Sequence, residues 1–320
     1  MKTIVYRKFG SPDVLTYEDA PKPTPDNDQV LIRIRAASIN PLDWRMMGGG
    51  PRMVRALLNL GKPKIKRPGV DVAGEVESIG RNVTRFKPGD AVFGACKGAL
   101  AEYGCAAESK LAMKPENITF EQAATVTVAA LTALQALRDH GKIQPAQNVL
   151  INGASGGVGT FAVQIARSYG ANVTGVCSTS NLELVRSIGA DQVIDYTRED
   201  FTRSGRRYDL ILDTVGNHSP SACRRALTPK GICVMVGAPK SVLAMLALLL
   251  KALVMSRLVS QNFPIFMARV NIEDLTILGD FMKAGKVKPV IDRQYKLSEA
   301  AEAMRYAAGG HARGKVVVTV

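Results

Sequence analysis

Asn152-Gly153-Ala154-Ser155-Gly156-Gly157-Val158-Gly159 is the stretch that decides the architecture. It stands between an apolar run at 149–152, which reads as a strand, and a run at 158–169, closed by Gly170, which reads as a helix. Glycines in such a turn permit a tight reversal, let the backbone approach a pyrophosphate and bring the helix close to the strand. The helix N-terminus then offers free N–H groups and the positive end of its dipole to phosphate. In this strand–turn–helix setting the pattern predicts a dinucleotide site built on Ala154, Ser155, Gly156, Gly157, Val158 and Gly159.

Working outward, strands at 172–176, 192–194, 210–213 and 232–236 continue the series, with a helix at 182–188 ending on Gly189. Short apolar strands alternating with helices imply βαβ crossovers and a parallel sheet. The first ~115 residues read differently. Met1 to Phe9 reads as a strand without the apolar core of an export signal. Val30, Ile32 and Ile34 alternate with polar neighbours, and 72–79 and 91–95 are further short strands. The segment 120–140, rich in Ala, Leu and Thr and followed by Gly141, predicts one long buried helix. Helices at 273–284 and 298–308 and a strand at 315–320 close the chain.

The end of the second parallel strand sets the choice of dinucleotide. A site preferring NAD places Asp or Glu there, about 20 residues past the glycine turn, to accept from the ribose hydroxyls. Here Val176 runs into Cys177-Ser178-Thr179-Ser180, and no acid follows until Glu183. A neutral hydroxyl cluster does not repel a 2′-phosphate and offers donors to it, so NADPH is the expected cofactor.

Composition narrows the class. The chain has 320 residues, 46% hydrophobic and 22% charged, which suits a large core of about two domains and excludes disorder or a coiled coil. Five cysteines, none in a CxxC pair, suit free thiols in the cytoplasm. The net charge of +14 is concentrated in two acid-free stretches. One carries Arg45, Arg52, Arg55, Lys62, Lys64, Lys66 and Arg67; the other carries Arg224, Arg225, Lys230, Lys240, Lys251, Arg257 and Arg269. Such patches attract phosphorylated cofactors, anionic membranes or nucleic acid, or simply form a solvated face. The second stretch contains the apolar run 242–250, too short to span a bilayer. It reads as a helix in a core or dimer interface, or as a wall for a lipophilic substrate at the membrane surface.

Further motifs join the glycine turn: Ala37-Ser38-Ile39-Asn40-Pro41-Leu42-Asp43, Gly69-Val70-Asp71-Val72-Ala73-Gly74, Phe86-Lys87-Pro88-Gly89-Asp90, Leu131-Thr132-Ala133, Gly189-Ala190-Asp191 and Gly314-Lys315-Val316-Val317-Val318. Together they resemble the medium-chain dehydrogenase/reductase superfamily, in its zinc-free quinone oxidoreductase branch, over nearly the whole chain. The resemblance implies an α/β protein. A GroES-like β-rich catalytic domain (1–118, completed by 264–320) would surround a Rossmann NADP-binding domain with a doubly wound parallel sheet (119–263). Zinc members carry Cys where this chain has Asn40 and His where it has Val70, and neither replacement is a plausible ligand, so no metal is expected.

Without zinc, the easier chemistry is hydride delivery from NADPH to an already electrophilic carbon, as in quinones or α,β-unsaturated carbonyls. By resemblance, Asn40 lies near the nicotinamide and the substrate, and Asp43 supports that loop. Thr132 faces the nicotinamide, Tyr196 lies against the 2′-phosphate, and Val215, Gly216, Val236 and Gly237 run along the nicotinamide ribose. The hydroxyls of Ser178, Thr179 and Ser180 complete the cofactor site. Trp44 and Arg45 stand where substrate would pass; some quinone reductases carry tyrosine at the Arg45 position as a proton donor. Asn40 and Asp43 read equally as a loop-bracing pair, and Trp44 as a hydrophobic plug.

Two alternatives stay open: a 2-enoyl-thioester reductase whose basic stretches meet the phosphates of coenzyme A, and a non-catalytic NADPH-binding or RNA-binding protein. No RNA-binding signature is present and aromatics are scarce, so nucleic acid is not the expected partner. A homodimer follows from the resemblance. The expected partner is a small lipophilic electrophile, with peripheral contact to an anionic membrane where the basic stretches meet the apolar run.

Overall fold

The computed structural model describes residues 1–48, 65–236 and 260–320. Gly237, the apolar run 242–250, and Arg52, Arg55, Lys62, Lys64, Lys240, Lys251 and Arg257 lie outside the described residues.

Strand β1 (Lys2–Val5) pairs antiparallel with β2 (Thr16–Asp19). The strand expected over residues 1–9 stops at Val5; Tyr6 instead makes a single two-way backbone pairing with Lys66. Strand β3 (Gln29–Ile39) is buried more continuously than a period of two expects: it buries Leu31 and 36–39 as well as Val30, Ile32 and Ile34. It ends at Asn40 and Pro41, where α1 (Pro41–Met47) begins. Proline suits a first helical turn because its missing N–H has no intrahelical use there. Strands β4 (Asp71–Ile79), β5 (Ala91–Ala95), β6 (Tyr103–Ala107) and β7 (Leu111–Met113) follow.

The single helix expected over 120–140 is broken. It becomes α2 (Phe120–Ala124), α3 (Thr127–Gln135) and a wide terminal turn closed by Gly141 N–H donating to Ala136 O at 2.7 Å. Threonine chemistry explains the break. Thr125 Oγ1 donates to Gln122 O (2.7 Å) and Thr127 Oγ1 to Gly94 O (2.9 Å), so side chains take carbonyls the helix would need or anchor it elsewhere.

The alternating part of the chain gives β8 (Asn148–Asn152), α4 (Gly157–Ser168), β9 (Asn172–Cys177), α5 (Leu182–Ser187), β10 (Gln192–Asp195), β11 (Tyr208–Asp213), α6 (Pro220–Arg225) and β12 (Leu227–Met235). Five strands pair in parallel in the order β10-β9-β8-β11-β12. The chain winds outward from β8 to β10 and then returns to the other side of β8. Open α/β sheets take ligands beyond the carboxyl ends of their strands at such a reversal.

The C-terminal elements return to the first sheet: α7 (Ile272–Lys283), β13 (Ile291–Lys296), α8 (Ala300–Ala308) and β14 (Lys315–Thr319). That sheet runs β13-β14-β3-β4-β5-β7, with β6 also on β3, so the two chain ends meet where β14 pairs antiparallel with β3. By contacts, the chain divides into one unit of Met1–Leu131, Val270–Gly285 and Pro289–Val320, and a second of Thr132–Arg269 with Lys286–Lys288. This contact division lies at 131/132 and 269/270, beside the expected 118/119 and 263/264, and α2 packs on β3, β4 and β5 of the first unit. No helix among the described residues is long and apolar enough to cross a membrane.

Candidate active site

In the first unit, β3, β4 and β14 bring four polar side chains together in an otherwise apolar interior. Asn40, at the exit of β3, is 2% exposed, Asp71 at the start of β4 is fully buried, and Lys315 at the start of β14 is 3% exposed. The Asn40 amide donates through Nδ2 to Asp71 Oδ2 at 2.8 Å and accepts at Oδ1 from Lys315 Nζ at 2.5 Å. Asp71 Oδ2 also accepts from Ser38 Oγ (2.8 Å) and Lys315 Nζ (3.3 Å), while Oδ1 accepts from the Val128 N–H (3.0 Å). The third ammonium hydrogen of Lys315 goes to Ile39 O at 3.2 Å. A buried charge pair is tolerated only when its remaining donors and lone pairs are satisfied in this way.

Asp43 stands beside this cluster, 5% exposed, with Oδ2 accepting from the Asn40 backbone N–H (2.7 Å) and Oδ1 from the Gly69 N–H (3.2 Å). Burial pushes its carboxyl up to about 6, against the lowering effect of the Asn40 N–H bond; the Asp71 charge raises it further. Gly69 meets Asp43 only because it adopts φ +98°, and a Cβ there would sit 2.8 Å from Leu100 N. Asp43 thus braces the β3–α1 junction, and Asn40 is braced in turn. Trp44 is half-buried against the first unit's core, as a plug would be, and Arg45 is exposed.

In the second unit, the glycine turn forms as expected. Gly153 has φ +83°, and a Cβ would meet Thr214 Oγ1 at 2.5 Å. Gly159 packs so closely that a Cβ would lie 2.0 Å from Gly153 O. Gly156 N-caps α4 with no side-chain hydrogen bond, so among the described residues no side chain caps the first turn of this twelve-residue helix. Ala154 is buried with its N–H on Val176 O, and Gly157, Val158 and Gly159 begin the helix. A residue missed from sequence, Asn181, ties the turn to the next strand: its Nδ2 donates to both Ser155 Oγ and Ser178 Oγ at 3.1 Å.

The end of β9 is less neutral than its sequence neighbours suggest. Thr179 Oγ1 donates to Asp195 Oδ2 (2.5 Å), and Ser178 Oγ lies 3.3 Å from Ser180 Oγ. Asp195 ends β10 and pairs in register with Cys177, so a carboxylate stands beside the expected acid-free cluster; only the sheet, not the local sequence, brings it there. Thr197 also donates to Asp195, and hydrogen bonds from Thr179 and Thr197 hold its pKa down. Arg198 Nε lies 3.6 Å from the same carboxylate, supplying the arginine the local cluster lacks. Tyr196 is exposed at this edge, its N–H on Cys177 O.

At the end of β11, Asp213 Oδ1 accepts from Asn152 Nδ2 (2.9 Å) and from the N–H groups of Val215 and Gly216 (both 3.0 Å), which shapes the loop expected at the ribose. Val236 N–H donates to Asp213 O. The other carboxylate oxygen of Asp213 is buried without a partner among the described residues. Thr132 is 9% exposed within α3.

The cofactor class fits these groups: Gly153 and Gly159 admit no side chain, and the uncapped amides of α4 suit a pyrophosphate. A catalytic zinc does not fit the donor set. Asn40 is already committed to Asp71 and Lys315, Val70 has no donor, and among the described residues no group of three His, Cys, Asp or Glu side chains could hold a metal.

Residues 26–116 match the alcohol dehydrogenase GroES-like domain family, and residues 188–318 the zinc-binding dehydrogenase family. The chain is 36% identical to a chloroplastic quinone-oxidoreductase of Triphysaria versicolor, over 99% of this chain and 98% of that protein. It is 34% identical to the chloroplastic NADPH-dependent alkenal/one oxidoreductase of Arabidopsis thaliana, over 99% of this chain and 79% of that one. The solved quinone oxidoreductase of Coxiella burnetii superposes with a TM-score of 0.86 at 32% identity, covering 100% of this chain and 99% of that one. With its two chain ends joined in one sheet, a parallel sheet with a glycine turn after β8 and relatives matched end to end, this chain belongs to the quinone oxidoreductase branch of the medium-chain dehydrogenase/reductase superfamily.

Proposed function

We propose that this chain is an NADPH-dependent reductase that delivers hydride to a quinone or an α,β-unsaturated carbonyl without a catalytic metal. The observation that carries the reading is the donor set at the β3–α1 junction. There a carboxamide fixed by Asp71 and Lys315 keeps one amide hydrogen without a protein partner among the described residues. When bound, the nicotinamide supplies the hydride. Asn40 donates its remaining N–H to the substrate oxygen as negative charge builds there, a contribution that works best from a pre-oriented donor in a dry site. Asp43 and Gly69 hold the junction, and water protonates the product, since Arg45 stands where a tyrosine would serve.

NADPH rather than NADH is supported by Arg198, by the hydroxyls of Ser178 and Ser180, and by Tyr196 at the same edge, while the Thr179 hydroxyl is given to Asp195. A 2′-phosphate competes with Asp195 for Arg198, and Asp195 keeps its hydroxyl donors from Thr179 and Thr197. Arg198→Ala should lower the ratio of kcat/KM for NADPH over NADH about tenfold, the worth of one charge-assisted hydrogen bond. An unchanged ratio removes Arg198 from the site.

Five free thiols suit a reducing compartment such as the cytoplasm. The homodimer rests on the family, and the membrane contact on the apolar run and the basic stretches, half of whose basic residues lie outside the described residues; sizing chromatography and co-sedimentation with anionic liposomes test them. The activity is tested by NADPH and NADH oxidation at 340 nm against a 1,4-quinone, a 2-alkenal, an enone and crotonyl-coenzyme A. Turnover of the quinone, alkenal or enone supports the reductase. A sole preference for the thioester moves the assignment to enoyl reduction, and tight NADPH binding with no turnover replaces it by a binding protein.

A further inference from the structure

We propose that Lys315 and Asp71 are positioning residues which select one of the two orientations of the Asn40 amide, an inference that rests on Asn40 being the donor to substrate. A carboxamide turned by 180° exchanges its oxygen and nitrogen with little change of shape, so packing alone chooses poorly between the two. Here the choice is chemical. Ionised Asp71 only accepts, and so requires Nδ2; the ammonium of Lys315 only donates, and so requires Oδ1.

Each selector is itself held. Asp71 receives Ser38 Oγ and the Val128 N–H besides Asn40, and Lys315 spends its other hydrogens on Ile39 O and Asp71. The two come from strands on opposite sides of β3, since β4 and β14 both flank it. The sheet therefore clamps the amide from both sides and leaves its second N–H without a partner among the described residues. Lys315 is buried at 3% exposure at the head of the apolar run Val316-Val317-Val318, with its ammonium directed to Asn40, Asp71 and Ile39 O.

The test compares the parent with Asp71→Asn/Lys315→Met, which removes both charges at once and so strands neither in the interior. An asparagine at position 71 can donate or accept, so the selection is lost while the volume is kept. The double variant should lose about tenfold in kcat through a misplaced donor, with KM for NADPH unchanged. Adding Asn40→Ala to it should cost little more, because the residue through which the pair acts is already disabled.

A second readout does not depend on turnover. In protein labelled with 15N-asparagine, the Asn40 side-chain NH2 should show one proton shifted downfield by the Asp71 carboxylate, assigned by its absence in Asn40→Ala. That shift should vanish in the double variant. If the double variant keeps kcat within about twofold of the parent, or Asn40→Ala adds its full loss in that background, the proposal fails. Should Asn40→Ala alone leave kcat untouched, the donor role assigned above fails instead, and the amide resonance still decides whether the pair orients Asn40.

Discussion

Gly156→Ala should fold as the parent does and bind NADPH on the order of a hundredfold more weakly, the loss of about two charge-assisted pyrophosphate hydrogen bonds. The backbone at Gly156 has φ −83° and ψ 177°, which alanine adopts without strain, and the nearest atom to an added Cβ is Gly153 O at 3.4 Å. As an N-cap, alanine in place of glycine costs only a fraction of the roughly 1 kcal/mol a capping side chain contributes. What the methyl group adds is bulk at the N-terminus of α4, where the pyrophosphate is proposed to bind. Gly159→Ala separates this effect from folding: its Cβ would lie 2.0 Å from Gly153 O and 2.8 Å from Ala154 Cα, and backbone on both sides cannot give way. That variant should lose melting temperature as well as affinity. Fluorescence titration with NADPH and thermal melts of both variants check the pair. Parent-like binding by a folded Gly156→Ala would move the pyrophosphate off this turn.

The same turn shows what is legible in a sequence. Its glycines announce themselves because each answers a purely local constraint: a positive φ at Gly153 and a close helix–strand approach at Gly159. Strands β8 and β9 and helix α4 fall where apolar runs and glycine stops put them. The long helix failed for a different reason. Thr127 bonds to Gly94, 33 residues away, and no window of local sequence contains that partner.

Distance in sequence also hid the polar cluster. Asn40 and Asp43 lie within one motif, but Asp71 and Lys315 reach Asn40 from 31 and 275 positions away, through the pairing of β4 and β14 with β3. A lysine at the head of a triple-valine strand was the one signal available, since a charged residue opening a fully apolar run needs a buried partner. Asp195 escaped in the same way. The strand end at Ser178 is acid-free along the chain, and acquires a carboxylate only from the neighbouring strand, whose last residue lies opposite Cys177. Reading the cofactor preference along one strand missed what the sheet adds from the side, both the acid and the arginine that offsets it.

Asp43 should give the protein a falling stability between about pH 4 and pH 6, the interval between an ordinary carboxyl near 3.9 and its value of about 6 in the fold. Within that window the native state holds a proton on Asp43 that the unfolded chain has released, so stability declines as pH rises. Above about 6 both states are ionised, and the accumulated cost is roughly 3 kcal/mol. Other carboxyls held low, such as Asp195 and Asp13, work in the opposite sense. The difference between the parent and Asp43→Asn therefore isolates the group. Urea unfolding across this range should show the parent losing ground to the variant as pH rises, and a constant difference would mean that Asp43 titrates normally. The ionised form is nevertheless the useful one, because it alone accepts freely from both the Asn40 and Gly69 N–H groups. As pH falls through about 6, that loop loosens beside the amide that meets the substrate, so kcat should fall with an apparent pKa near the same value. The fold thus spends stability to keep a carboxylate ionised where the neutral acid would be the more stable occupant. A kcat that stays level from pH 5 to pH 8 would show that the junction tolerates either form, and that Asp43 serves the fold rather than the reaction.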